Sequence, residues 1–152
     1  MSFLSRMASD VQLMLRRPAR LQFAALCYRE SKKGMEILLI TSRDTGRWVI
    51  PKGWPMNGKL ACEAAAREAY EEAGVHGTVG NESIGAFKYR KKLNSGVETE
   101  CRVDVYPISV SNLVDKFPEA GQRTRVWMTP EDAASSVDEP ELQHLILEFA
   151  KR

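Results

Sequence analysis

The chain has 152 residues, a length that suits one domain with a core of its own. It is 43% hydrophobic and 28% charged, with a formal net charge of +2, so it has neither a disordered composition nor the whole-molecule basic field that nucleic-acid binding draws on. Three cysteines, Cys27, Cys62 and Cys101, lie far apart without a CxxC pair, which argues against a disulfide framework or a zinc site and for reduced thiols in a cytoplasmic protein.

Residues 1–20 are expected to be an N-terminal extension to a single domain at 21–152. The apolar positions of MSFLSRMASDVQLMLRRP are broken by Arg6, Ser9, Asp10 and Gln12, which is not the unbroken apolar stretch of a secretory signal. An organelle-targeting or surface-binding helix is the alternative for this segment. No apolar run of about 18 residues occurs, so no membrane span is expected. Leu21–Tyr28 is a short apolar run read as a strand, followed by a polar turn at Arg29–Gly34. Glu36–Ser42 is a second strand, apolar enough for a sheet interior. Asp44–Gly46 reads as a turn, and Trp48–Ile50 as a short strand that Pro51 stops. Residues 51–60, rich in Gly and Pro, read as a loop. Residues 61–73 have strong helix propensity, with Gly74 as the stop. Strand-forming segments follow within 77–90 and 100–110, and then at Arg125–Met128. Thr129-Pro130 has the signature of a helix cap with proline in the first turn, and Glu141–Lys151 is amphipathic and helical. Strands, a helix, more strands and closing helices predict an α/β fold with a mixed sheet sandwiched between helices.

The helix at 61–73 carries the candidate chemistry. Glu68, Glu71 and Glu72 fall at about 0°, 300° and 40° around its axis, so three like charges share one face. Cys62, Ala66, Ala69 and Ala73 form a separate small apolar face. A hard divalent cation would relieve the repulsion, and oxygen-only ligands suit Mg²⁺ or Mn²⁺ rather than zinc. The competing reading is a solvated acidic face balanced by Arg67.

The flanking residues favour the cation. From Gly53 to Val75 the chain resembles the Nudix box: a glycine, five residues, a glutamate, seven residues, then R-E-U-x-E-E-x-G-U with U aliphatic. Gly53, Arg67, Glu68, Ala69, Glu71, Glu72, Gly74 and Val75 fall at the required spacings. Lys59 stands where the family has its first glutamate. Glu63, one helical turn before Arg67, is expected to pair with that arginine instead. The resemblance implies the Nudix fold and a metal-dependent hydrolase that cuts phosphoanhydrides in phosphorylated small molecules. It further implies that Glu68, Glu71 and Glu72 hold the metal together with the Gly53 carbonyl, and that Arg67 orients the carboxylates. Lys52 would meet a phosphate oxygen. The general base would be a box glutamate or a later one, with Glu98, Glu100 and Glu119 as candidates. Glu71, Arg67 and Glu68 form the expected catalytic group.

Further stretches, among them LLITSRDTGRWVIP at 38–51, GAFKYR at 85–90 and QRTRVW at 122–127, are similar to the diphosphoinositol polyphosphate and diadenosine polyphosphate hydrolases. That branch implies basic residues for extra phosphates, and Arg20, Arg102, Arg125, Lys88 and Arg90 are the candidates. The PKGW loop differs from the glycine-rich loop of the inositol enzymes. Two other functions compete: a Nudix enzyme for another nucleotide (a nucleotide sugar, a damaged nucleotide or an RNA 5′ end), and a non-catalytic ligand-sensing module. The retained Glu68, Glu71, Glu72 and Arg67 speak against the sensor. No membrane or nucleic-acid partner is expected, and the protein is expected to be a monomer or homodimer.

Overall fold

A computed structural model describes residues 19–152. The expectations for residues 1–18 lie outside this range. Eight strands, β1 (Arg20–Ser31), β2 (Gly34–Thr41), β3 (Trp48–Val49), β4 (Lys52–Gly53), β5 (Val75–Val79), β6 (Gly85–Lys92), β7 (Glu98–Leu113) and β8 (Arg125–Met128), form one mixed sheet. Among the described residues three helices, α1 (Ala61–Ala73), α2 (Pro130–Ser136) and α3 (Pro140–Ala150), cover it. Strand order runs β3-β2-β1-β7-β5; β4 pairs β1, β6 pairs β7 and β8 pairs β2. The pairing of β1 with β7 is parallel, whereas the other ladders are antiparallel.

Side-chain alternation along β1 separates two cores. Ala25 and Cys27 face α1 and pack with Ala65, Ala69, Ala73, Val75 and Ile108. Ala24 and Leu26 face the other way and pack with Ala133, Ala134, Leu142 and Ile146 of α2 and α3. The sheet is therefore sandwiched, and alanines on the buried side of α1 let that helix approach closely. Among the described residues no helix is long and apolar enough to cross a membrane. All three cysteines are free and buried, and burial pushes the Cys27 thiol up to about 12.

The helix at 61–73 has the expected bounds, and Thr129 caps α2 by accepting a bond from the Asp132 amide at 3.1 Å. The stretch read as a loop at 51–60 contains β4, because Lys52 and Gly53 pair with Ala24 and Phe23 in spite of the surrounding Gly and Pro. Val75–Val79 forms a strand directly after α1 by pairing with the far half of β7. Gly74 makes that immediate turn possible: it holds φ 67°, and a Cβ there would meet the Val114 carbonyl oxygen at 2.6 Å.

Candidate active site

Two consecutive residues of β4 reach opposite sides of the sheet. Gly53 lies opposite Phe23, on the face that α1 covers, and Lys52 lies opposite Ala24 on the other face. The Glu68 carboxyl of α1 rests against Gly53 so closely that a Cβ on residue 53 would overlap it. The bare glycine thus lets a carboxyl lie on strand backbone.

Glu72, one turn further along α1, is 5% exposed, which removes the reading of a solvated acidic face. Burial pushes its carboxyl up to about 9, and its hydrogen bond to Glu68 and that neighbour's charge act in the same direction. Burial also raises Glu68. One proton held between the two carboxyls is the physical content of these shifts. Arg123 opposes them, with Nη2 at 3.5 Å from Glu72 and 3.1 Å from Glu119. Its Nη1 donates to the Thr41 carbonyl at 3.1 Å. Lys52 is drawn down to about 8 by enclosure, while Glu72 and Glu139 push it back up. Its ammonium lies 5.0 Å from the centre of the Tyr89 ring.

Glu71 sits at the rim, bound by Arg67 Nε at 2.8 Å. The expected partner of Arg67, Glu63, is engaged elsewhere: its Oε1 accepts from the Leu60 amide at 2.8 Å. Leu60 occupies the N-cap position and has no side-chain acceptor to offer, so the third residue of the helix satisfies an amide that would otherwise be bare. Glu63→Ala is accordingly expected to lower stability by about 1 kcal/mol through lost capping and to change turnover much less than Arg67→Ala does. Thermal denaturation beside kcat/KM for both variants checks this; a larger activity loss in Glu63→Ala would return it to the support of Arg67.

Among the described residues, no three acidic, histidine or cysteine side chains stand in metal-ligand geometry. The internal pairings account for that: Glu68 and Glu72 bond each other, and Arg67 holds Glu71. The donor set nevertheless suits a hard divalent cation, being oxygen-only and concentrated where the Glu68 carboxyl meets β4.

The remaining expected residues divide. Arg102 and Lys88 lie opposite each other on β7 and β6, on the face that carries the glutamates. Leu21 is the β1 partner of Arg102, so Arg102 stands one row beyond the Gly53–Phe23–Asp104 row and two strands across, roughly 12 Å from Gly53 by sheet spacing, with Lys88 one strand further out. Arg102 is exposed and bonds Asp104 at 3.3 Å. Arg90, also exposed, is 4.0 Å from Glu98. Arg20 opens β1 on the opposite face, 5.9 Å from the Trp54 ring centre. Arg125, the remaining phosphate candidate, is already engaged within the fold. Its Nη1 donates to the carbonyls of Ala73 at 2.9 Å and Val114 at 2.8 Å, and Nη2 meets Asp115 at 3.2 Å. It closes the C-terminus of α1 and ties the 114–124 loop to it. That loop delivers Glu119 and Arg123 to the carboxylates, with the Glu119 amide donating to the Glu71 carbonyl at 3.0 Å. Glu98 and Glu100 instead sit at the turn end of the β6–β7 hairpin, opposite Lys92 and Arg90. Arg123 escaped sequence reading although its motif was noted; it lies in the bend before β8, and only tertiary packing separates its role from that of Arg125.

Comparison with known proteins agrees with this architecture. Residues 18–149 match the family model described as the NUDIX domain. The chain is 34% identical over 122 residues to the mitochondrial Nudix hydrolase 16 of Arabidopsis thaliana, covering 78% of this chain and 67% of that one. It is 32% identical over 112 residues to human diphosphoinositol polyphosphate phosphohydrolase 3-alpha, covering 72% and 64%. The chain thus spans about three-fifths to two-thirds of the length of these curated relatives. Its fold is shared with the crystal structure of a C. elegans Ap4A hydrolase, at a TM-score of 0.63 and 20% identity over 88% of this chain and 98% of that chain.

Proposed function

Since the chain belongs to the Nudix family, we propose that it is a metal-dependent hydrolase of phosphoanhydride bonds in nucleoside diphosphate-linked or polyphosphate substrates, with diadenosine polyphosphates and diphosphoinositol polyphosphates as the substrate classes to test first. The observation that carries this reading is the Glu68–Glu72 pair held against the backbone of Gly53. Glu68, Glu71, Glu72 and the Gly53 carbonyl would hold Mg²⁺ or Mn²⁺. Such a cation would neutralise charge on the anhydride and lower the pKa of a bound water. Arg67 fixes the rim carboxylate of Glu71, and Arg123 fixes Glu72 and Glu119. Lys52 supplies a cation for a phosphate oxygen beside β4. Proton abstraction falls to the rim glutamates: Glu71, or Glu119, which stands much nearer the carboxylates than Glu98 or Glu100 in the fold. Three buried free thiols accord with a cytoplasmic setting, although the names of several relatives place those proteins in mitochondria or chloroplasts.

The test is a panel of nucleotide sugars, nucleoside triphosphates, diadenosine polyphosphates and diphosphoinositol polyphosphates with Mg²⁺ or Mn²⁺, products being identified by mass. Charge-assisted hydrogen bonds from Arg102, Lys88 and Arg90 to outlying phosphates would help position the scissile bond. The expected result is that kcat/KM rises with phosphate number, that Arg102→Ala flattens the rise, and that high salt weakens it. Preference for ADP-ribose or a nucleoside triphosphate over every polyphosphate would move the protein to another Nudix branch.

A further inference from the structure

On the face of the sheet opposite α1 lies a group of buried polar side chains that the proposed reaction leaves unused. Glu139, the residue before α3, is 9% exposed. Its Oε1 accepts from Arg47 Nη1 at 2.8 Å. Its Oε2 is buried and has no hydrogen-bond partner among the described residues. Beside this pair, Tyr89 donates its hydroxyl to Gln22 at 2.5 Å, so those two groups are already satisfied. Lys52 connects the group to the active site, because its ammonium lies on the Tyr89 ring and within electrostatic range of both Glu72 and Glu139.

A buried acceptor without a donor is costly, and native folds keep few of them without a reason. A phosphate cannot supply the donor, since its ionised oxygens carry no hydrogen and would be repelled by the carboxylate. A hydroxyl can. If Lys52 holds the phosphate at β4, the charge of Glu139 acts on the cation that grips it, so the group joined to that phosphate is the one that can turn toward Glu139; in a nucleotide that group is the pentose.

We propose that Glu139 Oε2 accepts a hydrogen bond from a ribose hydroxyl of a nucleoside polyphosphate, so that this face is a sugar subsite selecting nucleoside-linked substrates over a fully phosphorylated inositol. The ring of such an inositol has no free hydroxyl to offer and brings negative charge to a buried carboxylate. Arg47 is the positioning residue, holding the carboxyl by Oε1 and leaving Oε2 to the substrate. The proposal rests on the phosphoanhydride hydrolase reading above.

The test compares diadenosine tetraphosphate, its dideoxyribose analogue lacking the 2′ and 3′ hydroxyls, and a diphosphoinositol polyphosphate on the full chain with Mg²⁺. Calorimetric binding of a non-hydrolysable diadenosine analogue, with and without those hydroxyls, is measured in parallel. Loss of the hydroxyls is expected to raise KM and Kd about tenfold in the parent protein. Glu139→Gln puts a donor where Oε2 stood, at constant volume. It should raise KM for the ribose substrate while kcat falls less, and it should distinguish the two sugars less than the parent does, since the charge-assisted bond is replaced at best by a neutral one to the hydroxyl oxygen. Equal KM and Kd for both sugars in the parent overturns the subsite while leaving the hydrolase reading intact, as expected if only a buried water meets Oε2. A preference for the inositol compound, or undiminished discrimination in Glu139→Gln, overturns it as well. Sugar discrimination in binding without cleavage of any substrate supports the subsite and overturns the hydrolase reading. The comparison of sugars on the parent protein stands even if Glu139→Gln folds poorly.

Discussion

Glu72→Gln is expected to lower kcat/KM by about two to three orders of magnitude, and yet to leave the chelator-treated protein at least as stable as its parent at pH 8. The two effects have one cause. Glu72 is buried, its carboxyl is raised from its ordinary value of 4.5 to about 9, and it shares a hydrogen bond with Glu68. In the metal-free fold the side chain is therefore held in its neutral form over most of the physiological range, and glutamine reproduces that form. The amide can donate to Glu68, and its oxygen can face Arg123. What glutamine cannot do is give up a proton and become an anionic ligand.

The sign of the pH dependence follows from the raised value. Between pH 4.5 and 9 the folded chain binds a proton at Glu72 that the unfolded chain has released, so this contribution is complete at low pH and is lost as pH rises through that window. In chelator, the melting temperature of the parent should fall from pH 5 to pH 9 more steeply than that of Glu72→Gln. Added Mg²⁺ should raise the melting temperature of the parent at pH 8 by mass action and that of the variant much less. Near-normal turnover by a folded Glu72→Gln protein would remove Glu72 from the mechanism. Identical pH slopes for the two proteins would show that the Glu68–Glu72 proton is not held.

The second large effect comes from adding a single methyl group. Gly53→Ala would set a Cβ into the volume of the Glu68 carboxyl. The obstructed group is the end of a flexible side chain, so the fold can yield by swinging Glu68 aside, at a cost of about 1 kcal/mol for an off-rotamer side chain. The carboxyl then leaves the β4 backbone and its bond to Glu72. A displacement of about 1 Å in a positioned group is enough to cost roughly a hundredfold in rate. The variant is thus expected to melt within a few degrees of the parent while kcat/KM falls about a hundredfold. Unchanged kinetics would mean that the Glu68–Gly53 contact is incidental. A collapse of the melting temperature would mean that the methyl group strikes backbone rather than the carboxyl.

The sequence carried the box helix to its last residue. Propensity, the glycine stop at Gly74 and the spacing of Glu68, Glu71 and Glu72 are all local, and local signals survive folding. The sandwich of helices about a mixed sheet was readable for a similar reason, since α2 announced itself through Thr129 and Pro130. What stayed hidden depends on partners distant in the chain. Lys52 and Gly53 look like loop residues until the edge of β1 pairs with them, and only that pairing sends them to opposite faces. Glu63 and Arg67 have the spacing of an ion pair, but a bare N-cap amide took the one and Glu71 the other. Arg123 and Arg125 lie two positions apart in one short motif; the fold gives the first to Glu72 and the second to the end of α1. Glu139 has no motif at all, and nothing short of the packed α3–sheet interface marks it as buried.

The central pairing of β1 with β7 bears on how the chain folds. β1 begins the described chain, its parallel partner lies on the far side of the box helix, and Arg123 reaches back to a Thr41 carbonyl 82 residues away. Contacts of such separation require a large loop to close before they contribute, which slows folding relative to a protein of the same size built on neighbours. The box helix and the β1–β2 hairpin, by contrast, are built on contacts between neighbours in the chain. The arginine that counters Glu72 is added only when the loop after β7 has docked. A nascent chain stopped short of Arg123 would therefore lack the guanidinium that lies 3.5 Å from the Glu72 carboxyl, so the site is completed only after that loop has docked.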